Sequence, residues 1–364
     1  MLTLRSIPSR QLADVTVRSI CVIKPSSFGD IVQSLPLLPA LRHRFPQARI
    51  SWVVKREWAE LLVGHPVVDE VILFDSRGGW RSWLRLLGEL RRRRFDLVFD
   101  LQGLLRTGLM TLATGAPLRV GLETAREGAQ LACNCVIPDT GWFAAAHARY
   151  ARVVKAIGAG GIRWPTVVGI SEADRQWACR QLAAPGGLRV AVHAGATWPT
   201  KQWPLARFAA IAGRARSKYE ATIVLVGGKN EVPLAQEIET ALRPTQASGR
   251  VLNLTGQSSL KQLAALLSKV DLLVTNDSGP MHLAAGLGTP VLGIFTCTSP
   301  HRSGPPGDNH ELVATQVACA ASYRKRCPQR GPLHHCCHQE LDALRVWQAF
   351  ERLVAKNRLS RHAA

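Results

Sequence analysis

The stretch VTNDSGPMHLAAGLGTPVLGIF, Val274–Phe295, decides how the chain is read. Its body is small and apolar, and its head, Asn276-Asp277-Ser278-Gly279-Pro280, is polar. A membrane span, a plain strand–turn–helix and a binding turn compete for it. From Ser278 to Pro300 there is no Asp, Glu, Lys or Arg, a run long enough to cross a bilayer. Gly279, Gly286, Gly288 and Gly293 interrupt it, as do Pro280, Pro290 and Pro300. Turn residues at that density divide the run into a helix and a strand. The segment therefore reads as strand (DLLVTN, 271–276), turn, helix and strand (PVLGIF, 290–295). Ser278 or Gly279 can cap the helix, with Pro280 near its first position, where a missing N–H costs nothing. Free N–H groups at the same place could hold a diphosphate. On this stretch alone both readings stand.

Outward from it, strand then helix repeats along the chain. SICVIK (19–24) runs into the turn PSSFGD, after which Ile31, Leu35, Leu38 and Leu41 fall at helical spacing. Pro36 and Pro39 should kink or restart that helix. ARISWVV (48–54), VILF (71–74), FDLVFDL (95–101) and LRVGL (118–122) follow as strands, with a basic helix from about Trp80 to Arg94 and a helical stretch over 142–158. GAGGIRWPTVVGIS (158–171) has no clear period and marks a boundary. The pattern then restarts with LRVAVH (188–193), the turn AGATWPTKQWP, and a helix through Leu205, Phe208, Ile211 and Ala212. ATIVLVGG (221–228) and RVLNL (250–254) precede the opening stretch. Alternation of this kind predicts parallel sheets covered on both faces, with ligands at the carboxyl ends of the strands. The expected division is 1–165, 166–338 and a last helical segment, 339–364, whose Leu341, Leu344, Trp347, Phe350 and Val354 form one apolar face.

The chain has 364 residues, 46% hydrophobic and 20% charged, and a net charge of +20, so it reads as globular with an acidic partner. No secretory signal is read in the first nineteen residues, which carry Arg5, Arg10, Asp14 and Arg18, and a cytosolic protein is expected. Nucleic acid is not the expected partner: no recognition motif appears and aromatics are only 6%. Of nine cysteines, Cys21, Cys133, Cys135, Cys179 and Cys297 are scattered and read as reduced, mostly buried thiols. Cys319, Cys327, Cys336 and Cys337 lie near His334, His335 and His338; a structural zinc is one reading, but the spacing matches no standard metal-binding pattern and a loop of incidental thiols is the preferred one.

Two further turns draw notice, and neither G-x-G-x-x-G after a strand nor G-x-x-x-x-G-K-[ST] occurs. In KPSSFGD (24–30), Ser26, Ser27 and Gly29 allow a tight turn and Asp30 falls in the first helical turn. Asp30 either complements the helix dipole or serves as a general base. In AGATWPTKQWP (194–204), Lys201 beside Thr197 and Thr200 suits a phosphate, and an exposed loop lysine is the plain alternative.

Together these segments resemble glycosyltransferase family 9, the lipopolysaccharide core heptosyltransferases. VIKPSSFGDIVQSLPLLPALRHRFPQARISWVV is similar to the family's first strand–loop–helix–strand, and FDLVFDLQGLLRTGLM to its DxQGLxKS segment. TKQWP, NDSGPMHLAAGLGTPVLGIF and SPHRSGPPG are similar to its donor-domain signatures. The resemblance runs from about residue 19 to 350 and implies an α/β GT-B fold: two Rossmann-like domains facing across a cleft, the last helix crossing back to the first. It implies inverting transfer from a nucleotide sugar, ADP-heptose, to an anionic Kdo–lipid A acceptor at the cytosolic face of the inner membrane, where a basic surface would help. It makes Asp30 the catalytic base. Thr197, Thr200, Lys201, Glu231, Asp277, Ser278, Gly279 and His282 fall on the donor side. Ser26, Ser27, Gly29, Gln102, Arg106 and Arg126 fall on the acceptor side.

CTSPHRSGPPG departs from the commoner GPTDPxRxGPxG at Cys297 and Ser299. RVGLETAREGA resembles first-heptose transferases, whereas the Cys/His tail resembles second-heptose ones, so the acceptor stays open. No metal or cofactor is expected, because Lys201 and the helix start can stabilise a leaving diphosphate and no DxD carboxylate pair is seen. Alternatives are another nucleotide sugar or acceptor, or a non-catalytic sugar-nucleotide-binding homologue; Asp30 discriminates, since an idle module needs no base.

Overall fold

The computed structural model describes residues 12–138, 141, 144–183, 187–243 and 249–359. The chain divides into Met1–Gly169 and Ile170–Ala364. Unit 1 runs β1 (Ser19–Ile23), α1 (Phe28–Ser34), α2 (Leu37–Arg44), β2 (Arg49–Lys55), β3 (Glu70–Phe74) and α3 (Gly79–Arg92). It continues with β4 (Leu97–Asp100), α4 (Leu105–Thr114), β5 (Leu118–Leu122), β6 (Cys135–Ile137) and α5 (Ala146–Ala156). Pro36 separates α1 from α2, standing at the cap of the second helix, where its missing N–H and fixed φ do no harm. The start of the helix expected over 142–158 lies partly outside the described residues.

Unit 2 opens with α6 (Glu172–Gln181), β7 (Arg189–His193), α7 (Leu205–Tyr219), β8 (Thr222–Leu225), α8 (Val232–Leu242), β9 (Val251–Asn253) and α9 (Leu260–Leu267). Then come β10 (Leu272–Asn276), α10 (Gly279–Gly286), β11 (Val291–Phe295), α11 (Pro300–Ser303), β12 (Glu311–Ala314), α12 (Cys336–Glu340) and α13 (Ala343–Lys356).

Each unit is built on one parallel sheet. Among the described residues the strand orders are β3-β2-β1-β4-β5-β6 and β12-β11-β10-β7-β8-β9. Renumbered within its unit, the second order is the first read backwards, so both sheets have the 3-2-1-4-5-6 order of a Rossmann fold. Central strands such as β4, β10 and β11 are buried at every position, because helices cover both faces. In unit 1, Cys21, Ile23, Val53 and Val98 pack on Leu86 and Leu90 of α3 and Met110 of α4. In unit 2, Val190, Ile223 and Val274 pack with Phe208, Ile211 and, from α13, Val346, Phe350 and Leu353. Asp342 caps α13 by accepting the Arg345 N–H at 2.8 Å.

The strands β6 and β12 and the helix α6 were not legible as elements in the sequence. The two strands are short edge strands, and α6 carries one buried residue, Ala178, so it lacks an apolar stripe. Cys179, expected among the buried thiols, is exposed on that helix, whereas Cys21, Cys133, Cys135 and Cys297 are buried.

The order reverses between β1 and β4 in unit 1, and between β7 and β10 in unit 2. Connections from those paired strands leave in opposite directions, which opens a crevice at their carboxyl ends. The turns singled out in the sequence stand at these places.

Candidate functional site

In unit 2, His193 and Thr275 are register partners at the carboxyl ends of β7 and β10. His193 Nδ1 lies 3.2 Å from Thr275 Oγ1 and 3.1 Å from Ser278 Oγ, and the two hydroxyls are 3.0 Å apart. Its Nε2 lies 3.2 Å from Glu231 Oε2, which also accepts the Gly228 N–H at 2.7 Å. Burial works against the Glu231 charge, but the bonds from His193 and Gly228 outweigh it and hold the carboxyl below its ordinary pKa. Glycine at 195 makes room for this carboxylate: a Cβ there would stand 1.7 Å from Glu231 Oε1. Beside it a pocket is walled by Val192, Leu225, Val226, Leu234 and Ile238.

The opening stretch resolves here. Ser278 stands at the cap position of α10 in extended conformation, yet its side chain caps nothing; the hydroxyl is engaged with His193 and Thr275. The first N–H groups of α10 thus receive no side-chain cap, and Pro280 follows within the first two positions. Asp277 does not cap either. Its N–H is held by the Ile294 carbonyl at 3.2 Å, and its carboxylate, 4% exposed, meets Lys201 Nζ at 2.7 Å. Lys201 closes the turn Pro199–Lys201 and lies 4.9 Å over the Trp198 ring.

Of the other residues expected on the donor side, His282 is buried in the first turn of α10 and Thr197 is exposed. Thr200 is buried, with its hydroxyl donating to the Arg324 carbonyl at 2.7 Å. Two residues were missed in the sequence. His193 links Glu231 to the α10 turn, but looked like the polar end of a strand. Asn276, fully buried, accepts the Trp203 N–H at 3.1 Å and donates to the Ala194 carbonyl at 2.7 Å, clamping the turns after β7 and β10 together.

In unit 1, Asp30 is the third residue of α1. Its Oδ2 accepts the Ser27 N–H at 3.3 Å and hydroxyl at 3.0 Å. It therefore does fill the capping role. Its side chain is also 40% exposed and 3.9 Å from Lys24 Nζ, so it keeps access to a ligand. Lys24 is buried, with Tyr150 as hydrogen-bond partner. Burial opposes the ammonium, but Tyr150, Asp30 and Asp100 more than offset it and raise its pKa. Burial conversely pushes Asp100 up, against N–H bonds from Gln102 (3.0 Å) and Gly103 (2.9 Å) to its Oδ1. The two segments expected on the acceptor side come together. The Arg126 N–H donates to the Gly103 carbonyl at 2.7 Å, and Gly103, at φ +65°, lies so close to Ala125 that a Cβ would stand 2.8 Å from its Cα. Arg126 and Arg106 are exposed, the latter 5.3 Å over the Phe74 ring. Gln102 and Gly29 are half-buried beside the same strand ends, as is Ser26, whereas Ser27 is exposed.

Two Rossmann-like units in one chain, with polar residues gathered at the switch point of each, are the architecture of a GT-B glycosyltransferase. The chain belongs to glycosyltransferase family 9 (heptosyltransferase), whose family model matches residues 83–332. It is 28% identical over 308 residues to lipopolysaccharide core heptosyltransferase OpsX of Haemophilus influenzae, covering 82% of this chain and 84% of that one. It is 29% identical to lipopolysaccharide heptosyltransferase 1 of Pseudomonas aeruginosa, with 85% and 87% covered. In fold it is similar to the Escherichia coli ADP-heptose LPS heptosyltransferase II, with a TM-score of 0.73 at 24% identity, covering 93% of this chain and 99% of that one.

Proposed function

We propose that the protein transfers heptose from ADP-heptose to the inner core of lipopolysaccharide, with inversion at the anomeric carbon. The observation that carries this is the start of α10: a helix N-terminus without a side-chain cap, 2.7 Å contact between Lys201 and Asp277 beside it, and Glu231 next to an apolar pocket. A diphosphate suits the helix start and the lysine, which supply fixed positive charge. The pocket suits adenine, and Glu231 the ribose hydroxyls. Asp277, held by Lys201, is the carboxylate we assign to the sugar hydroxyls. These groups need no metal to stabilise the leaving ADP.

Asp30 takes the proton of the acceptor hydroxyl as that oxygen bonds to the anomeric carbon. The bond from that carbon to the diphosphate oxygen breaks, and ADP leaves with the electron pair. One displacement inverts the centre without a covalent intermediate. On the acceptor side, Arg106 and Arg126 provide charge for Kdo carboxylates or lipid A phosphates, and Ser26, Ser27, Gly29 and Gln102 shape the turn around the hydroxyl. The net charge of +20 suits work at an anionic membrane face. No helix among the described residues is long and apolar enough to cross a membrane.

The test offers ADP-heptose to the purified protein with Kdo–lipid A, and separately with its heptosylated product, and reads the lipids by mass spectrometry. One added heptose on one of the two acceptors is expected. No heptose on either, from protein that binds ADP, overturns the reading.

A further inference from the structure

Between β12 and α13 lies a segment that the proposed transfer does not use. From Gln316 to Glu340 no residue is buried, and the only regular structure is the turn Gly331–Leu333 and the five residues of α12. A stretch of this length normally owes its shape to a small core, and one without a core needs a cross-link. Its ends are tied: the Thr315 hydroxyl donates to Glu340 Oε2 at 2.6 Å, and Glu340 pairs with Arg345. Its front edge touches the donor turn through the Arg324 carbonyl and Thr200. Its middle has another kind of convergence.

One ligand atom each from Cys327, His334 and His335 lies within 4.8 Å of the others. Around a tetrahedral zinc, with Zn–S near 2.3 Å and Zn–N near 2.0 Å, such atoms stand roughly 3.3–3.8 Å apart, a small side-chain adjustment away. The His335 N–H donates to Cys327 Sγ at 3.4 Å, the backbone contact that favours a metal-bound thiolate. Candidates for a fourth ligand are at hand. The Cys336 and Cys319 thiols hydrogen-bond one another, and Cys337 lies within electrostatic reach of Cys319, Cys327 and Cys336. The His338 ring packs on His335 at 4.6 Å. The linear spacing concealed this set, because adjacent histidines and adjacent cysteines match no C-x-x-C pairing; the turn through His335, at φ 54°, brings them together.

We propose that Cys327, His334 and His335, with one thiolate from Cys319, Cys336 or Cys337, bind a zinc-class divalent cation that cross-links residues 319–338. Its role is structural: it replaces the missing core of the segment and, through Arg324, steadies the turn that carries Lys201.

The test measures metal by mass spectrometry in the full chain, purified without chelator and then exposed to Zn²⁺, with iron read in the same run. About one ion per chain is expected. It should fall to background in C327S/H335N and stay unchanged in C179S, which alters an exposed thiol on α6. Zinc or ferrous iron at that stoichiometry both support the site, and the run says which occupies it. Co²⁺ added to chelator-stripped wild type should give thiolate-to-metal absorption and tetrahedral visible bands, a readout that does not depend on the variant folding. Background metal in the wild type after Zn²⁺, or Co²⁺ spectra unchanged by addition of the protein, overturns the proposal.

Discussion

Lys201 Nζ lies 2.7 Å from Asp277 Oδ2, and that carboxylate is 4% exposed. The pair joins the turn after β7 to the turn after β10, across the point where strand order reverses. A buried carboxylate with one close cation depends on that cation, since desolvation is offset only while the partner is present. The same lysine is the positive charge proposed for the diphosphate, so its stability role and its binding role have to be separated.

Lys201→Met should destabilise the fold by about 3 kcal/mol, because it leaves Asp277 buried without its cation. It should also weaken ADP binding tenfold or more. Adding Asp277→Asn to it removes the stranded charge and should restore most of the stability, but not the affinity. Urea unfolding and calorimetry with ADP read the two effects. A double variant as unstable as the single one would show that the pair does not act this way.

Asp30→Asn should lower the transfer rate by about 10²- to 10⁴-fold, the usual range for loss of a general base. Asparagine can still accept the Ser27 N–H, so the cap is largely kept and the midpoint of unfolding should barely move. ADP affinity should also be unchanged, because its proposed residues belong to unit 2. Wild-type turnover in this variant removes Asp30 from the mechanism.

How much of this was legible beforehand depended on what each residue does locally. The buried central strands could be read because unbroken apolar runs bounded by turns have few other uses, and α13 because its apolar face repeats at helical period. Asp30, Lys201 and Ser278 were visible because they stand in short turns between such runs. What they bond to was not. Capping by Ser278 and engagement with His193 look identical in sequence, since His193 is reached only through parallel pairing of β7 with β10. Asn276 was invisible as a clamp for the same reason, as both its partners lie beyond another strand.

Gly195→Ala should weaken ADP binding at least tenfold with a smaller change in stability. The new methyl group would overlap Glu231 Oε1, forcing that carboxylate away from His193 and the pocket. Gly213→Ala in α7 is the control: its Cβ would meet Leu242 at 3.6 Å, ordinary contact, and should stabilise the helix by about 0.5–1 kcal/mol. Equal ADP affinities in wild type and Gly195→Ala would exclude Glu231 from the donor site.

His65 should govern part of the acid sensitivity. It is 3% exposed, and its Nδ1 accepts the Val67 N–H at 3.1 Å, an arrangement for the neutral ring. Burial pushes its pKa from 6.5 down to about 4. The unfolded chain therefore binds a proton near pH 6.5 that the folded chain refuses until about pH 4. Stability is fully present above the unfolded value and drains away as pH falls through that window, by about 2 kcal/mol between pH 7 and pH 5 for this group alone. Depressed carboxyls such as Glu231 and Glu70 lose their contribution only below about 4.5, so they do not mask it. His147 shifts in the same direction as His65, which makes the difference between proteins the useful quantity. His65→Gln keeps a polar group but no titration. Its urea midpoint should change less between pH 7 and pH 5 than that of the wild type, and parallel profiles would show that folding does not lower the proton affinity of His65.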